Sequence, residues 1–324
     1  MVPTLKETTQ RLLRKSSKRL KNRSIRRKAF QNFNRAHGYN PNTNAPVTFS
    51  EKLLYRKLQQ EHWLEQQANN VDKYAVRKQI AGIIGEQHLI PLLGYMQSGD
   101  DFDFERFPPP IILKATHGSG WNLIIRTIDE YPLEDIRALI NSWLSCNYAD
   151  NFTGEAQYRY VSPRVVAEPL LTDADGKVPV DYKFHCFDQG KQIVIQADVD
   201  RFDNHSRDFY DPQWQPIEMQ LKFPRSGSVM SKPNTLDTML ALAKDLARDY
   251  DYIRVDLYSF EGQVLFGELT FVPENACGKI TPSQWDTRLG EYWPLQQYAS
   301  DKGGSCNTMS NWFHSIRARL LSKL

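Results

Sequence analysis

The sequence predicts an α+β fold, and three observations carry that reading. Residues 31–110 look largely helical, strand signals take over after Pro108-Pro109-Pro110, and two hairpins follow at 182–199 and 253–271. Helices and strands in this mixed order suggest α+β lobes rather than a regular parallel sheet. The 324 residues are enough for two or three lobes, each with its own core.

The elements follow from local chemistry. Thr48, Ser50 and Glu51 open a helical segment that runs toward Gln67. A second helix is expected from residue 71 to 84, ending near Gly85. The three prolines break the helical pattern because each lacks an amide donor. An apolar run at 111–116, the turn His117-Gly118-Ser119-Gly120 and a second strand at 123–126 come next, then a helix at 132–144 and a strand at 165–171. Asp188-Gln189-Gly190 joins strands 182–187 and 192–199 as a hairpin turn. Asn234-Thr235 caps a helix with Leu236, Met239, Leu240, Ala243, Leu246 and Ala247 on one face.

Apolar residues make up 40% and charged residues 24% of the chain, the balance of an ordinary globular protein. No apolar run approaches the roughly 20 residues that span a bilayer, and no apolar stretch of the kind found in secretory signals follows the basic N-terminus. A cytoplasmic protein is expected. Cys146, Cys186, Cys277 and Cys306 have neither CxxC nor zinc-knuckle spacing and read as reduced thiols. The net charge of +3 is uneven: residues 1–28 hold eleven Lys or Arg and one acid, so the rest of the chain carries −7. Such a tail is either a solvated arm or a contact for an anionic polymer or the inner face of a membrane.

The last hairpin holds the sharpest chemistry. Alternation puts Ile253, Val255 and Leu257 on one face and Arg254 and Asp256 on the other; in the partner strand Phe266, Glu268 and Thr270 share a face. A two-residue loop would set Asp256 across from Gly267, on the wrong face for Glu268. A three-residue loop, Phe260-Glu261-Gly262, sets Arg254 across from Glu268 and makes the apolar faces agree. Asp256 and Glu268 are then diagonal neighbours, about 7–8 Å apart. Two such acids suit magnesium, which takes hard oxygen ligands, although a salt-bridge cluster with Arg254 fits the spacing as well.

Lys114 ends an apolar strand just before the small-residue turn from His117 to Trp121. Small residues let backbone amides approach phosphate, and lysine adds charge. No Walker A motif or dinucleotide fingerprint is present. Arg201, Asp203, His205, Arg207 and Asp208 crowd one segment, which is either a solvated loop or an anion-binding one.

Taken together, Val71-Asp72-Lys73-Tyr74, Ile112-Leu113-Lys114 with His117-Gly118-Ser119-Gly120, Ala167-Glu168-Pro169, Asp181-Tyr182-Lys183-Phe184, Arg254-Val255-Asp256 and Phe266-Gly267-Glu268-Leu269-Thr270-Phe271 occur in the order seen in ATP-grasp ligases. The set resembles the ATP-grasp family named for teichuronopeptide biosynthesis (TupA-like), over residues of about 48 to 290. The resemblance implies two α+β lobes gripping ATP behind a helical N-terminal region. The expected division is a basic tail at 1–30, the helical region at 31–110, a small lobe at 111–165, a large lobe with the metal site at 166–300, and a C-terminal helix at 301–324.

The resemblance also implies roles. Lys73 and Lys114 would contact ATP phosphates, and His117, Gly118, Ser119, Gly120 and Trp121 would close over them. Glu168 and Leu170 would read adenine, Asp181 or Lys183 would contact ribose and phosphate, and Arg254 would steady the transferred phosphoryl group. Asp256, Glu268 and Thr270 would hold magnesium, two ions being expected. Thr270 stands where many ATP-grasp ligases have Asn, a weaker ligand. Arg201 and Arg207 would contact the substrate carboxylate.

The implied activity joins a carboxylate to an amine such as an amino acid, through an acyl phosphate, on small-molecule or glycan substrates of cell-surface polysaccharide synthesis. The rival readings are an ATP-grasp kinase, a glycosyltransferase using Asp198-Val199-Asp200, and a polymer-binding protein. Nucleic acid is not an expected partner.

Overall fold

The computed structural model describes residues 24–149, 154–173, 176–199 and 205–296. Arg201, the basic tail as far as residue 23 and the C-terminal helix expected at 301–324 lie outside the described residues.

Residues 24–37 form α1, which buries Ala29 and Phe33. The expected cap opens α2 (Phe49–Gln59): the Thr48 hydroxyl accepts the Glu51 amide, and the Glu51 carboxylate accepts the Thr48 amide in return. The segment expected to reach Gln67 divides at Gln60, and α3 (Glu61–Gln66) and α4 (Ala68–Val71) follow. Asp72 Oδ1 then accepts the Tyr74 and Ala75 amides at 2.8 and 3.1 Å. That turn delays the next helix, α5 (Val76–Ile84), by several residues relative to the sequence expectation.

The smaller sheet contains β1 (Gly94–Met96), β2 (Ile111–Ala115), β3 (Asn122–Ile125) and β4 (Val165–Pro169) in the order β1-β4-β2-β3. It therefore takes one strand from the stretch expected to be helical, and its second strand lies almost wholly within residues expected in the large lobe. β4 belongs here because it pairs with both β1 and β2, which no local pattern specifies. Ile111, Leu113 and Ala115 bury one face together with Ile136, Ile140 and Trp143 of α6 (Leu133–Ser145). Alternation leaves Ile112 and Lys114 on the opposite face.

The larger sheet is antiparallel and six-stranded. It contains β5 (Asp181–Phe187), β6 (Gln192–Val199), β7 (Ser206–Tyr210) and β8 (Pro216–Ile217), with β10 (Tyr252–Phe260) and β11 (Gln263–Thr270) completing the order β11-β10-β5-β6-β7-β8. Between these come β9 (Gln220–Leu221) and α7 (Leu236–Ala247); after them, β12 (Ile280–Thr281) pairs with β9 and leads into α8 (Ser283–Tyr292). Ile253, Val255 and Leu257 stand beside Cys186, Phe184 and Tyr182 in register, forming the apolar face against which α7 packs Leu236, Met239, Ala243 and Leu246.

The other face is sealed at one end and polar at the other. At the sealed end Phe49 of α2 meets Tyr252, Phe187 and Trp293 with ring centroids 5.1, 5.6 and 5.9 Å away. Beneath them the fully buried Arg56 pairs with Asp251 and donates to the Tyr252 carbonyl at 2.8 Å. Its guanidinium lies between the Trp63 and Trp293 rings, 4.7 and 4.4 Å from their centroids. Asp251 also accepts the Trp293 indole and the Gln296 amide at 3.0 Å each. Removing one partner strands a buried charge, so Asp251→Ala should lower unfolding free energy by about 3–5 kcal/mol. Urea titration measures the loss, and a drop below about 1 kcal/mol would show that the anchor carries little of the stability.

Candidate active site

Register decides which side chains meet on the open half of the polar face. The hairpin turn has two residues, Glu261 and Gly262, with Phe260 paired to Gln263. Gly267 is then an extra residue: Leu257 pairs with Phe266, and Asp256 pairs with Glu268. This corrects the three-residue loop expected from the sequence, and it replaces the diagonal relation with a direct one. The bulge restores facial agreement that a two-residue loop would otherwise destroy. Glycine is required there, because a Cβ would lie 3.1 Å from both the Asp256 carbonyl oxygen and the Tyr258 ring. Arg254 stands across from Thr270 instead of Glu268.

Cations and carboxylates then alternate across the face. Arg254 grips Asp256 through Nε and Nη2 at 2.7 Å each and reaches Glu268 Oε1 at 3.1 Å. Burial opposes the Arg254 charge, yet Asp256 and Glu268 more than offset it and raise the guanidinium's pKa. Lys183 stands across from Asp256 on β5; its ammonium contacts Asp181, lies 3.0 Å from Asp256 Oδ2 and 3.7 Å from Asp198 Oδ2. Arg207 closes the row by holding Asp198 at 2.6 Å and Glu274 at 3.0 Å. Burial would raise the Asp198 carboxyl, but Lys183 and Arg207 outweigh it and hold it well below the usual range. Asp198 is thereby enclosed, unlike the open carboxylate of a sugar-nucleotide DxD pair.

The smaller sheet supplies the opposite wall. Lys114 Nζ lies 2.6 Å from Glu168 Oε2, with Arg77 3.7 Å from the other carboxylate oxygen. Lys73, set by the Asp72 turn, donates to the Gly118 carbonyl at 2.8 Å. Burial lowers its ammonium pKa, and Glu268 across the cleft opposes that shift. In return Lys73, with Arg254 and Lys183, overcomes the effect of burial and holds Glu268 below the ordinary glutamate value. One cleft of about 550 Å³ is lined by Lys73, Lys114, Ser119, Gly120 and Glu168 from this side and by Asp181, Lys183, Arg254, Asp256, Glu268 and Thr270 from the other.

Some residues singled out in the sequence lie elsewhere. His117 is buried and donates through Nε2 to the Trp143 carbonyl at 2.8 Å, away from the cleft. Burial lowers its pKa, which suits a neutral ring. Trp121 packs edge-on against His117 and Tyr148. Gly118 makes room for that packing, since a Cβ would lie 2.9 Å from the Tyr148 ring. The Leu170 amide is bonded to the Pro110 carbonyl at 3.0 Å, so it is not the free donor an adenine nitrogen needs.

The cleft continues past Thr270 into groups the sequence did not single out. Phe223 stacks on His205 at 3.7 Å between centroids and lies 4.8 Å from the Arg207 guanidinium and 5.2 Å from the Lys222 ammonium. Lys222 reaches Glu274 at 3.0 Å. Glu274, Asn275 and Ala276 all have left-handed backbones, with φ of 49°, 54° and 61°. Such geometry disfavours residues with a Cβ by roughly 1–2 kcal/mol each and concentrates at functional sites.

Asp256, Glu268 and the Thr270 hydroxyl, 3.3 Å from Glu268 Oε1, are hard oxygen donors in one place. No group of three His, Cys, Asp or Glu among the described residues forms a metal site unaided. Two carboxylates and a hydroxyl fit magnesium, which usually keeps water or phosphate oxygens in its shell.

His185 borders this network from the sealed end, with Tyr252 and Gln196 each 3.0 Å away. Burial and then Arg254 push its pKa down from 6.5 to about 4, against weaker support from Gln196 and Asp256. The unfolded chain therefore binds a proton in that window that the folded chain refuses. Stability should fall by on the order of 3 kcal/mol as pH drops from 6.5 to 4 on this account alone. His185→Gln should flatten that part of the profile in urea titrations across pH, and an unchanged slope would assign the loss to other groups.

The profile of the family described as TupA-like ATPgrasp matches residues 51–294. No curated protein matches the chain. Among solved structures, D-alanine–D-alanine ligase from Helicobacter pylori aligns at 14% identity, covering 70% of this chain and 60% of that one, with a TM-score of 0.41. The Bacillus anthracis D-alanine–D-alanine ligase complexed with ATP aligns at 17% identity over 63% and 55%, with a TM-score of 0.37. The ATP-grasp ligase PsnB complexed with minimal precursor, Mg and ADP aligns at 14% identity over 64% and 52%, with a TM-score of 0.34. The chain thus spans 52–60% of the length of these proteins. With two α+β lobes meeting at one polar cleft, and with the family profile matching three quarters of its length, the chain has the ATP-grasp fold and belongs to the TupA-like ATP-grasp family.

Proposed function

We propose that the protein is an ATP- and magnesium-dependent ligase that joins a carboxylate to an amine through an acyl phosphate. The observation that carries this reading is the facing of Lys73 and Lys114 with Arg254, Asp256 and Glu268 across a single cleft. A substrate carboxylate attacking a γ-phosphate brings anion against anion, and cations from both walls offset that repulsion. Magnesium, when bound, supplies further charge neutralisation and is held by Asp256, Glu268 and Thr270.

The chain's own residues perform the remaining work. Arg254 turns one face of its guanidinium to Asp256 and reaches Glu268, so it is positioned to steady the phosphoryl group between them. Lys73 and Lys114 draw the triphosphate toward the smaller sheet, and the backbone of Ser119 and Gly120 covers it. Glu168 and the strand that bears it take the adenine end. A closed cleft keeps water from the acyl phosphate until the amine arrives.

Carboxylate and amine are assigned to the end beyond Thr270, where Lys222 pairs with Glu274 and Arg207 pairs with Asp198. These pairs offer both signs of charge, which suits an amino acid meeting a uronic-acid-type or amino-acid partner. The family resemblance suggests cell-surface polysaccharide synthesis as the setting. The tail's eleven cations in 28 residues suit an anionic polymer or the inner membrane face. No described helix is long and apolar enough to cross a membrane.

ADP release with pools of amino acids and uronic acids, followed by mass measurement of the product, tests the reading. Phosphate release that depends on added amine is expected of a ligase, whereas a kinase would retain phosphate on its product. Glu268→Ala should lower turnover by about 100-fold or more while leaving the circular dichroism spectrum unchanged. Near-normal ADP formation by Glu268→Ala would remove the metal assignment.

A further inference from the structure

Lys183 stands in an unusual place for a nucleotide-contacting lysine. Its side chain is almost wholly buried, and its ammonium faces Asp181, Asp198 and Asp256, themselves buried and drawn from β5, β6 and β10. The register explains the convergence: Asp256 lies beside Lys183, and Asp198 lies beside Asp181, so the three acids surround one ammonium on one face. Arg254 and Arg207 take the outer sides of Asp256 and Asp198. Three carboxylates therefore meet three cations, all fixed covalently to the sheet.

Three converging carboxylates without a cation would be a strong attractor for a hard divalent ion, because affinity in such sites rises with ligand charge. We propose that Lys183 is a built-in counter-cation that makes divalent-metal capture conditional on nucleotide. Its ammonium fills the position among Asp181, Asp198 and Asp256 that a divalent ion would otherwise take. Asp256, already neutralised by Lys183 and Arg254, offers little to a bare ion. A polyphosphate changes that balance by drawing Arg254 and Lys73 toward its own oxygens and by adding oxygen ligands beside Glu268. Metal and nucleotide then enter together, and the free protein does not collect metal ions. This rests on the ATP-binding reading above but makes a separate claim about order of binding.

The test uses the full chain, Mn²⁺ as probe, and the free-Mn²⁺ electron paramagnetic resonance signal as readout. Wild type should bind Mn²⁺ only when a non-hydrolysable ATP analogue is present. Lys183→Met should bind Mn²⁺ without nucleotide, about tenfold or more tighter than wild type, and its melting temperature should rise with added Mn²⁺. Lys183→Arg keeps the charge and should behave as wild type. Adding Asp198→Asn to Lys183→Met should abolish the gain, which ties the new affinity to this cluster. Should Lys183→Met fold only with Mn²⁺ present, that requirement supports the proposal, because it shows metal replacing the ammonium. Wild-type Mn²⁺ binding without nucleotide overturns it, as does a Lys183→Met protein with no added affinity. Calorimetric titration of wild type with Mg²⁺ and the analogue separates the two claims: nucleotide binding with the wrong metal pattern sinks only this inference, while no nucleotide binding sinks the reading beneath it.

Discussion

One extra residue in a strand determines the site. Without Gly267 as a bulge, a two-residue turn would leave Asp256 opposite a glycine and send Glu268 to the apolar face. With it, two carboxylates stand directly across from each other, the arrangement in which like charges repel most on a sheet. At about 4 Å and an effective dielectric near 20, unit charges interact by about 4 kcal/mol. That repulsion forces compensation, and Arg254, Lys183 and Lys73 are where it comes from. The cation row follows from placing two acids where a metal ion needs them.

Such a row keeps its geometry only on a stiff frame. The same sheet face is sealed at its other end by Phe49, Tyr252, Phe187 and Trp293, with the Arg56–Asp251 pair beneath. Tyr252, Arg254 and Asp256 follow one another on that face, so the aromatic seal fixes the strand only two residues from the charged groups. α7 holds the reverse side with aliphatic packing. Alternation along β10 thus assigns one set of residues to packing and the other to chemistry.

Much of this was legible. The faces of β10 and β11, the stripe of α7, the cap of α2 and the glycine ending α5 are local patterns with short sequence spacing. The bulge was marked by an isolated glycine within a strand, a signal outweighed by the more familiar three-residue turn. β1 is three residues long and pairs with a strand some seventy residues on, so periodicity had nothing to measure. Lys222 and Glu274 are separated by 52 residues, and Arg56 and Asp251 by 195. Contacts at that range leave no local trace. Nor does composition announce that Glu274, Asn275 and Ala276 turn left-handed, since none is glycine. His117 misled because a glycine-rich turn reads as one unit, while the fold sends its histidine inward and only Ser119 and Gly120 to the cleft.

β11 carries Glu268 and is also an edge strand, which would ordinarily be exposed to pairing with another chain. The segment after α5 covers it. Leu89 bridges in parallel to Phe266, and the His88 ring donates to the Val264 carbonyl at 2.7 Å. That segment leads directly into β1 of the smaller sheet, and Lys73 lies at the other end of α5. The strand bearing the metal carboxylate is thus tied to the element that positions the phosphate lysine and the sheet that bears Lys114. A shift of the smaller sheet over a nucleotide must load this tie before it can move Lys73 relative to Glu268. The edge protection that keeps β11 from aggregating therefore also sets the distance across which the two walls cooperate.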